Sequence, residues 1–180
     1  MSKIIDKKVK SSLENLHIPT WNELPNIDLY LDQVVTLVNS VLSPYIFFNN
    51  DNNKDNNLVL SKTMINNYVK NNLIDAPIKK KYGKVQLAKL FVICVLKQVY
   101  SMNDIKSLIT VALEGSDIAF AYNQFCRQFK KALNCTINRD DFIDIDSASN
   151  DNKYLLKSVL LSCSYKIYTN NVLNNLKENY

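Results

Sequence analysis

The sequence predicts an all-α fold with room for a tiny β wing, and three observations carry that prediction. Leu31, Val34, Val35, Val38, Val41 and Leu42 recur at helical spacing. Leu90 to Leu96 is an unbroken run of seven apolar residues, the pattern of a central helix buried on nearly all sides. Near the end of the chain, Leu156, Val159, Leu160, Cys163, Ile167, Val172, Leu173 and Leu176 form a near-continuous stripe. We divide the chain into an N-terminal arm (1–22), a head (23–113) and a helical body (114–180) with a candidate dimerisation region at 152–178.

Residues 1–22 hold little hydrophobic order beyond Leu13, Leu16 and Ile18, which predicts a short helix or a loose arm ending at Pro19. Trp21 and Leu24 are expected to pack against the body. From Asp28 to Leu42 the apolar spacing predicts an amphipathic helix, with Asn26 or Asp28 as cap and Pro44 as stop. It is either the first helix of a DNA-binding unit or a plain scaffold helix. Asn49 to Asn57, NNDNNKDNN, has nothing to bury and reads as a surface loop.

Ser61 can cap a short helix over 62–71. Thr63, Asn66, Asn67 and Lys70 fall at i, i+3, i+4 and i+7 on one face, with Met64, Ile65, Tyr68 and Val69 opposite. Pro77 stops regular structure, and Lys79, Lys80, Lys81, Tyr82 and Gly83 offer a small turn or wing before the long apolar helix begins near Lys84. Ser101 should cap a helix from Met102 to about Glu114, ended by Gly115. Ser116 or Asp117 then starts another, with Ile118, Phe120, Ala121, Phe125, Phe129 and Leu133 as its apolar side. That side is either core or the wall of a pocket for an effector. A last helix is expected over about 152–178, closing the bundle or pairing with a second copy.

The net charge of +5 is unevenly spread. Between Lys54 and Lys106 there are ten lysines against three aspartates, a balance of +7, while the remainder of the chain is slightly acidic. A local positive field is the footprint of a polyanion partner, although a solvated lysine face in a chain rich in lysine and asparagine gives the same count.

Other chemistries find little support. Two glycines leave no phosphate-cradling loop, dinucleotide fingerprint or nucleophile elbow, and the single histidine, His17, leaves no partner for a nucleophile. No enzyme and no cofactor is predicted. Cys94, Cys126, Cys135 and Cys163 form no CxxC pair and read as small buried residues in a reducing compartment. A redox switch at Cys126 or Cys135 is the alternative, since Arg127, Lys130 and Lys131 lie close in sequence and would lower a thiol pKa on approach. Asp140, Asp141, Asp144 and Asp146 do not follow the calcium-loop order and read as capping and solvated residues. No segment reaches the roughly 20 apolar residues of a membrane helix, so a cytoplasmic protein without membrane contact is expected.

Tyr68, Asn72-Leu73-Ile74, Pro77, Lys79 to Tyr82, Leu87, Leu90, Ile93, Ser101, Met102 and Ile105 together resemble the winged helix-turn-helix head of MerR-type bacterial regulators. Asn72 stands where that pattern has glycine, and asparagine is the residue that next best tolerates a left-handed backbone. The segment Thr63-Met64-Ile65-Asn66-Asn67-Tyr68-Val69-Lys70, with Leu24-Pro25-Asn26-Ile27-Asp28-Leu29-Tyr30 upstream, is similar to an uncharacterised bacterial family known only as a domain of unknown function. That likeness covers about residues 20–110. The MerR resemblance implies a transcriptional regulator that places helix 62–71 in the major groove of double-stranded DNA. Asn66 and Asn67 would then face adenine edges, Lys62, Thr63 and Lys70 would hold phosphates, and Lys79, Lys80, Lys81 and Lys84 would grip the flanking backbone. The rival expectation is a non-enzymatic helical module that binds another protein.

Overall fold

The computed structural model describes residues 2–47, 58–142 and 151–177, with side chains described from Lys7 onward. The expected loop at 49–57, Asp144 and Asp146 lie outside those residues. Among the described residues, seven helices and one two-stranded antiparallel sheet follow in order: α1 (Ser2–Glu14), β1 (Leu29–Tyr30), α2 (Leu31–Leu42), α3 (Lys62–Lys70), β2 (Lys81–Tyr82), α4 (Lys84–Leu96), α5 (Met102–Leu113), α6 (Ile118–Asn138) and α7 (Asp151–Lys177). The fold is all-α with a small β wing.

The apolar run predicted as a central helix is α4, which buries Leu87, Leu90, Phe91, Ile93, Cys94, Val95 and Leu96. Helices α2, α6 and α7 and strand β2 pack around it. One buried cluster extends from Val9 through α4 to Ile167, so arm, head and body share a core. The first segment is a helix rather than a loose arm. Val9 and Leu13 share one face of α1, Leu16 just beyond it is buried too, and α1 packs against α6 and α7. Lys130 of α6 fixes its end by donating to the Glu14 and Leu16 carbonyls at 2.6 and 2.9 Å, which satisfies acceptors that a helix terminus leaves free.

Several starts and stops follow from local chemistry. Ser61 Oγ accepts from the Met64 N–H at 3.2 Å, and Asp117 Oδ1 accepts from the N–H groups of Ala119 and Phe120 at 2.8 and 3.0 Å. Ser101 and Asp104 form a reciprocal box at the start of α5. Helix α2 begins three residues later than the apolar spacing predicts. Leu29 and Tyr30 pair with Tyr82 and Lys81 instead, and the Tyr30 N–H is taken by Gln33 Oε1 at 2.9 Å.

The apolar side of α6 is also rotated from the expected one. Tyr122, Cys126, Phe129, Ala132 and Leu133 enter the core, whereas Phe120 is 55% exposed and Phe125 is half-buried. Helix α7 turns Val159, Leu160, Cys163 and Ile167 against its own chain, leaving Tyr154, Leu155, Tyr165 and Leu173 exposed. Cys126 is buried and its thiol is pushed up to about 11 by that burial, so the neighbouring cations do not activate it. Burial likewise pushes Cys94 and Cys163 up to about 12.

Candidate nucleic-acid interface

Helix α3 presents the two faces that its sequence spacing requires. Lys62, Thr63, Asn66, Asn67 and Lys70 are exposed, Ile65 and Tyr68 are buried, and Met64 and Val69 are half-buried against the core. Tyr68 works from the inside only. Its hydroxyl is buried with no partner among the described residues, and burial pushes its pKa upward. The helix ends at Asn72, whose φ of 55° is the left-handed conformation expected there. Leu73 and Ile74 then re-enter the core.

The basic run after Pro77 is a tight hairpin. Ile78 and Lys81 exchange both backbone hydrogen bonds at 2.9 Å, leaving Lys79 and Lys80 as a two-residue turn. Their φ values of 50° and 65° are those of a type I′ turn, which is ordinarily made by Asn-Gly. Lys79 and Lys80 are therefore carried outward, exposed, at the tip.

Helix α3 and the hairpin are both tied to the start of α2. The Lys62 ammonium pairs with Asp32 in the first turn of α2. The Lys81 ammonium lies 4.9 Å from the centroid of the Tyr30 ring, and Lys81 and Tyr30 are paired across the sheet. Two consecutive basic elements thus contact residues 30 and 32. Lys84 is held further back, with its Nζ donating to Asn26 Oδ1 at 2.8 Å and sitting 5.4 Å from the Trp21 ring centroid.

The cations of this block are not equally available to a partner. Lys62 and Lys89 are ion-paired, to Asp32 and Asp75, whereas Lys70, Lys79 and Lys80 are exposed. At the end of α3, Asn67 Oδ1 accepts from Nδ2 of the capping Asn71 at 2.9 Å. Asn66, on the same exposed face, is the better placed of the two amides to offer a full donor and acceptor pair.

Sequence reasoning missed three residues that hold these elements: Tyr30, Asp32 and Asn39. Asn39 is 8% exposed on α2 and binds the backbone of Leu60, the residue before the Ser61 cap. An asparagine at helical spacing from Val35 and Leu42 is its only visible signal. Asp32 gives none, because a surface acid has no characteristic pattern, and Tyr30 enters only as the last residue of the Leu24–Tyr30 segment, with no role attached.

No curated protein and no solved structure matches this chain. A family match begins at Pro19 and ends at Phe129, spanning β1, α2, α3, the hairpin, α4, α5 and the first half of α6. Those residues, 19–129, are more than half of the chain, and the family they match is described as a domain of unknown function (DUF1836), so the chain belongs to that family.

Proposed function

We propose that this chain is a DNA-binding protein, a transcriptional regulator with a MerR-like winged helix-turn-helix head, acting in the cytoplasm without catalysis. Helix α3 enters the major groove with Asn66 toward the base edges. Thr63 and Lys70 reach phosphates, and Lys79 and Lys80 at the hairpin tip grip the adjoining backbone. Lys62, Lys81 and Lys84 stand at the edge of the same surface and add field more than direct contact, because each already has a partner.

The observation that carries the reading is the shared anchorage of α3 and the hairpin on residues 30–32. Lys62 reaches Asp32 from one element and Lys81 covers Tyr30 from the other. A duplex approaching that end of α2 would meet both. Two-fold sites would be read by a homodimer, and within 152–178 the exposed Tyr154, Leu155, Tyr165 and Leu173 are the apolar residues available for it.

Titration of labelled duplex at several salt concentrations tests the proposal. The expected result is steep weakening as salt rises, with most of the binding removed by Lys79→Glu combined with Lys80→Glu and retained in Lys7→Glu, exposed on α1. Absence of binding at low salt would sink it. The exposed apolar residues of α7 favour the second reading, a helical interaction module, which instead gives a stable oligomer or complex indifferent to charge reversal at the hairpin.

A further inference from the structure

A cavity of about 470 Å³ opens where α4, α5, α6 and α7 meet, within the range of small-molecule sites. Val92 and Leu96 of α4, Ile109 of α5, Phe120 and Phe125 of α6 and Leu156 of α7 give it an apolar wall. The rotation of α6 explains why this wall is open. Tyr122, Cys126 and Phe129 take the core positions, and the apolar residues at the start of the helix are left facing the gap.

Charge selects the occupant. Lys89, Arg127, Lys153 and Lys157 line the cavity against one acid, Glu114, among the described residues. The Lys89 side chain is 19% exposed, and its Nζ donates to Asp75 Oδ2 at 3.0 Å. Asp75 belongs to the connection between α3 and the hairpin. A lysine on the cavity wall therefore also holds the segment that joins the two elements of the candidate interface.

We propose that this cavity binds a small amphipathic carboxylate, with its apolar chain among the α5, α6 and α7 side chains and its head group on Lys89. Two carboxylates on one ammonium repel, so occupancy weakens the hold on Asp75 and loosens the connection between α3 and the hairpin. By reciprocity, removing the Asp75 charge tightens the ligand. The binding claim stands on the cavity alone, and its regulatory consequence rests on the DNA-binding reading above.

The test is calorimetric titration of the full chain with decanoate below its micelle concentration, with decanol and decyltrimethylammonium as matched probes. Decanoate should bind, decanol more weakly, and the cation least. Asp75→Asn, at a position 69% exposed, should tighten decanoate by about 5-fold, a modest coupling between two sites. Lys89→Met should reduce decanoate to the level of decanol. Equal affinity for all three probes, no binding, or an unchanged affinity in Asp75→Asn overturns the proposal, and that last variant decides the matter even where Lys89→Met fails to fold. A second arm adds decanoate to the labelled duplex titration, where weaker duplex binding is expected. Decanoate binding without any duplex binding leaves the cavity standing and removes the DNA reading, whereas duplex binding unaffected by bound decanoate overturns the regulatory half.

Discussion

Asn39 holds both backbone polar groups of Leu60: its Nδ2 donates to the Leu60 carbonyl at 2.7 Å, and its Oδ1 accepts from the Leu60 N–H at 3.0 Å. This side chain substitutes for a strand partner across a separation of 21 residues. It fixes the backbone next to the cap of α3 while residues 48–57 lie between α2 and that point. Replacement by leucine leaves one buried donor and one buried acceptor without partners, and each such group costs about 1–3 kcal/mol. Asn39→Leu should therefore destabilise the protein by about 2–4 kcal/mol in urea unfolding, near the sum of the two penalties less the gain from burying leucine. Asn39→Asp keeps the acceptor but turns a buried carboxylate oxygen toward the Leu60 carbonyl, so it should cost at least as much as the leucine variant. A leucine variant as stable as the parent would show that Leu60 finds other partners.

Lys79 and Lys80 form a turn that glycine and asparagine would form at lower energy. A non-glycine residue in the left-handed region costs roughly 1–2 kcal/mol, and the hairpin has two in succession. Lys79→Asn with Lys80→Gly keeps the hairpin and removes both charges. The pair should raise stability by about 1 kcal/mol, since asparagine and glycine suit positive φ, as read from denaturant midpoints. If the tip holds two phosphates, the same variant should flatten the plot of log affinity against log salt by about 2. Gain of stability with unchanged duplex binding would remove the tip from the interface.

How far the sequence could be read differs from one element to the next, and the reason is the range of the forces involved. The exposed face of α3 and the cap at Ser61 are local, because helical periodicity and one side-chain hydrogen bond determine them. The left-handed Asn72 was legible for the same reason. Nothing local announces that Lys79 and Lys80 occupy a type I′ turn, since they lack its Asn-Gly signature. The Asn39 clasp and the Lys89 to Asp75 pair depend on where separate segments meet, which no window of residues contains. Around α1, Val9, Leu13 and Leu16 do recur at helical spacing, but Lys7, Lys8 and Lys10 surround the first of them and dilute the pattern.

Acid should act first on two surface clusters. Glu23 Oε2 accepts from the Thr20 N–H at 2.7 Å, from Thr20 Oγ1 at 2.8 Å and pairs with His17 Nε2 at 3.0 Å. Hydrogen bonds from Thr20 hold its carboxyl below the ordinary 4.5, and those from Ser101 hold Asp104 below 3.8. A carboxyl depressed in the folded state binds its proton more readily in the unfolded chain. Its stabilisation is present above the ordinary value and disappears as pH falls through the lower folded value. Thermal midpoints should hold near neutrality and decline below about pH 4.5, with a shallower decline in Glu23→Gln. An identical acid profile for that variant would show that the turn at Thr20 contributes nothing to acid sensitivity.

Asn66 and Asn67 are adjacent and both exposed, yet they should not contribute equally to recognition of a duplex. Reading adenine requires one amide to donate and accept together, in the plane of the base edge. The Asn67 oxygen already accepts from Asn71 Nδ2, and the Asn67 carbonyl accepts from the same nitrogen at 2.8 Å, so that side chain is turned along the helix toward its C-terminal end. Asn66→Ala should therefore reduce discrimination between matched and mismatched duplexes by about 1–3 kcal/mol, the worth of one good bidentate pair. Asn67→Ala should leave discrimination nearly unchanged and slightly destabilise the end of α3, because Asn71 loses its side-chain acceptor and keeps only the backbone carbonyl of residue 67. Competition titrations with duplexes differing at single adenines measure the first effect, and hydrogen exchange at residues 68–72 measures the second. A larger loss of discrimination from Asn67→Ala would mean that the Asn67 to Asn71 contact breaks on binding, and that the end of α3, rather than its middle, lies deepest in the groove.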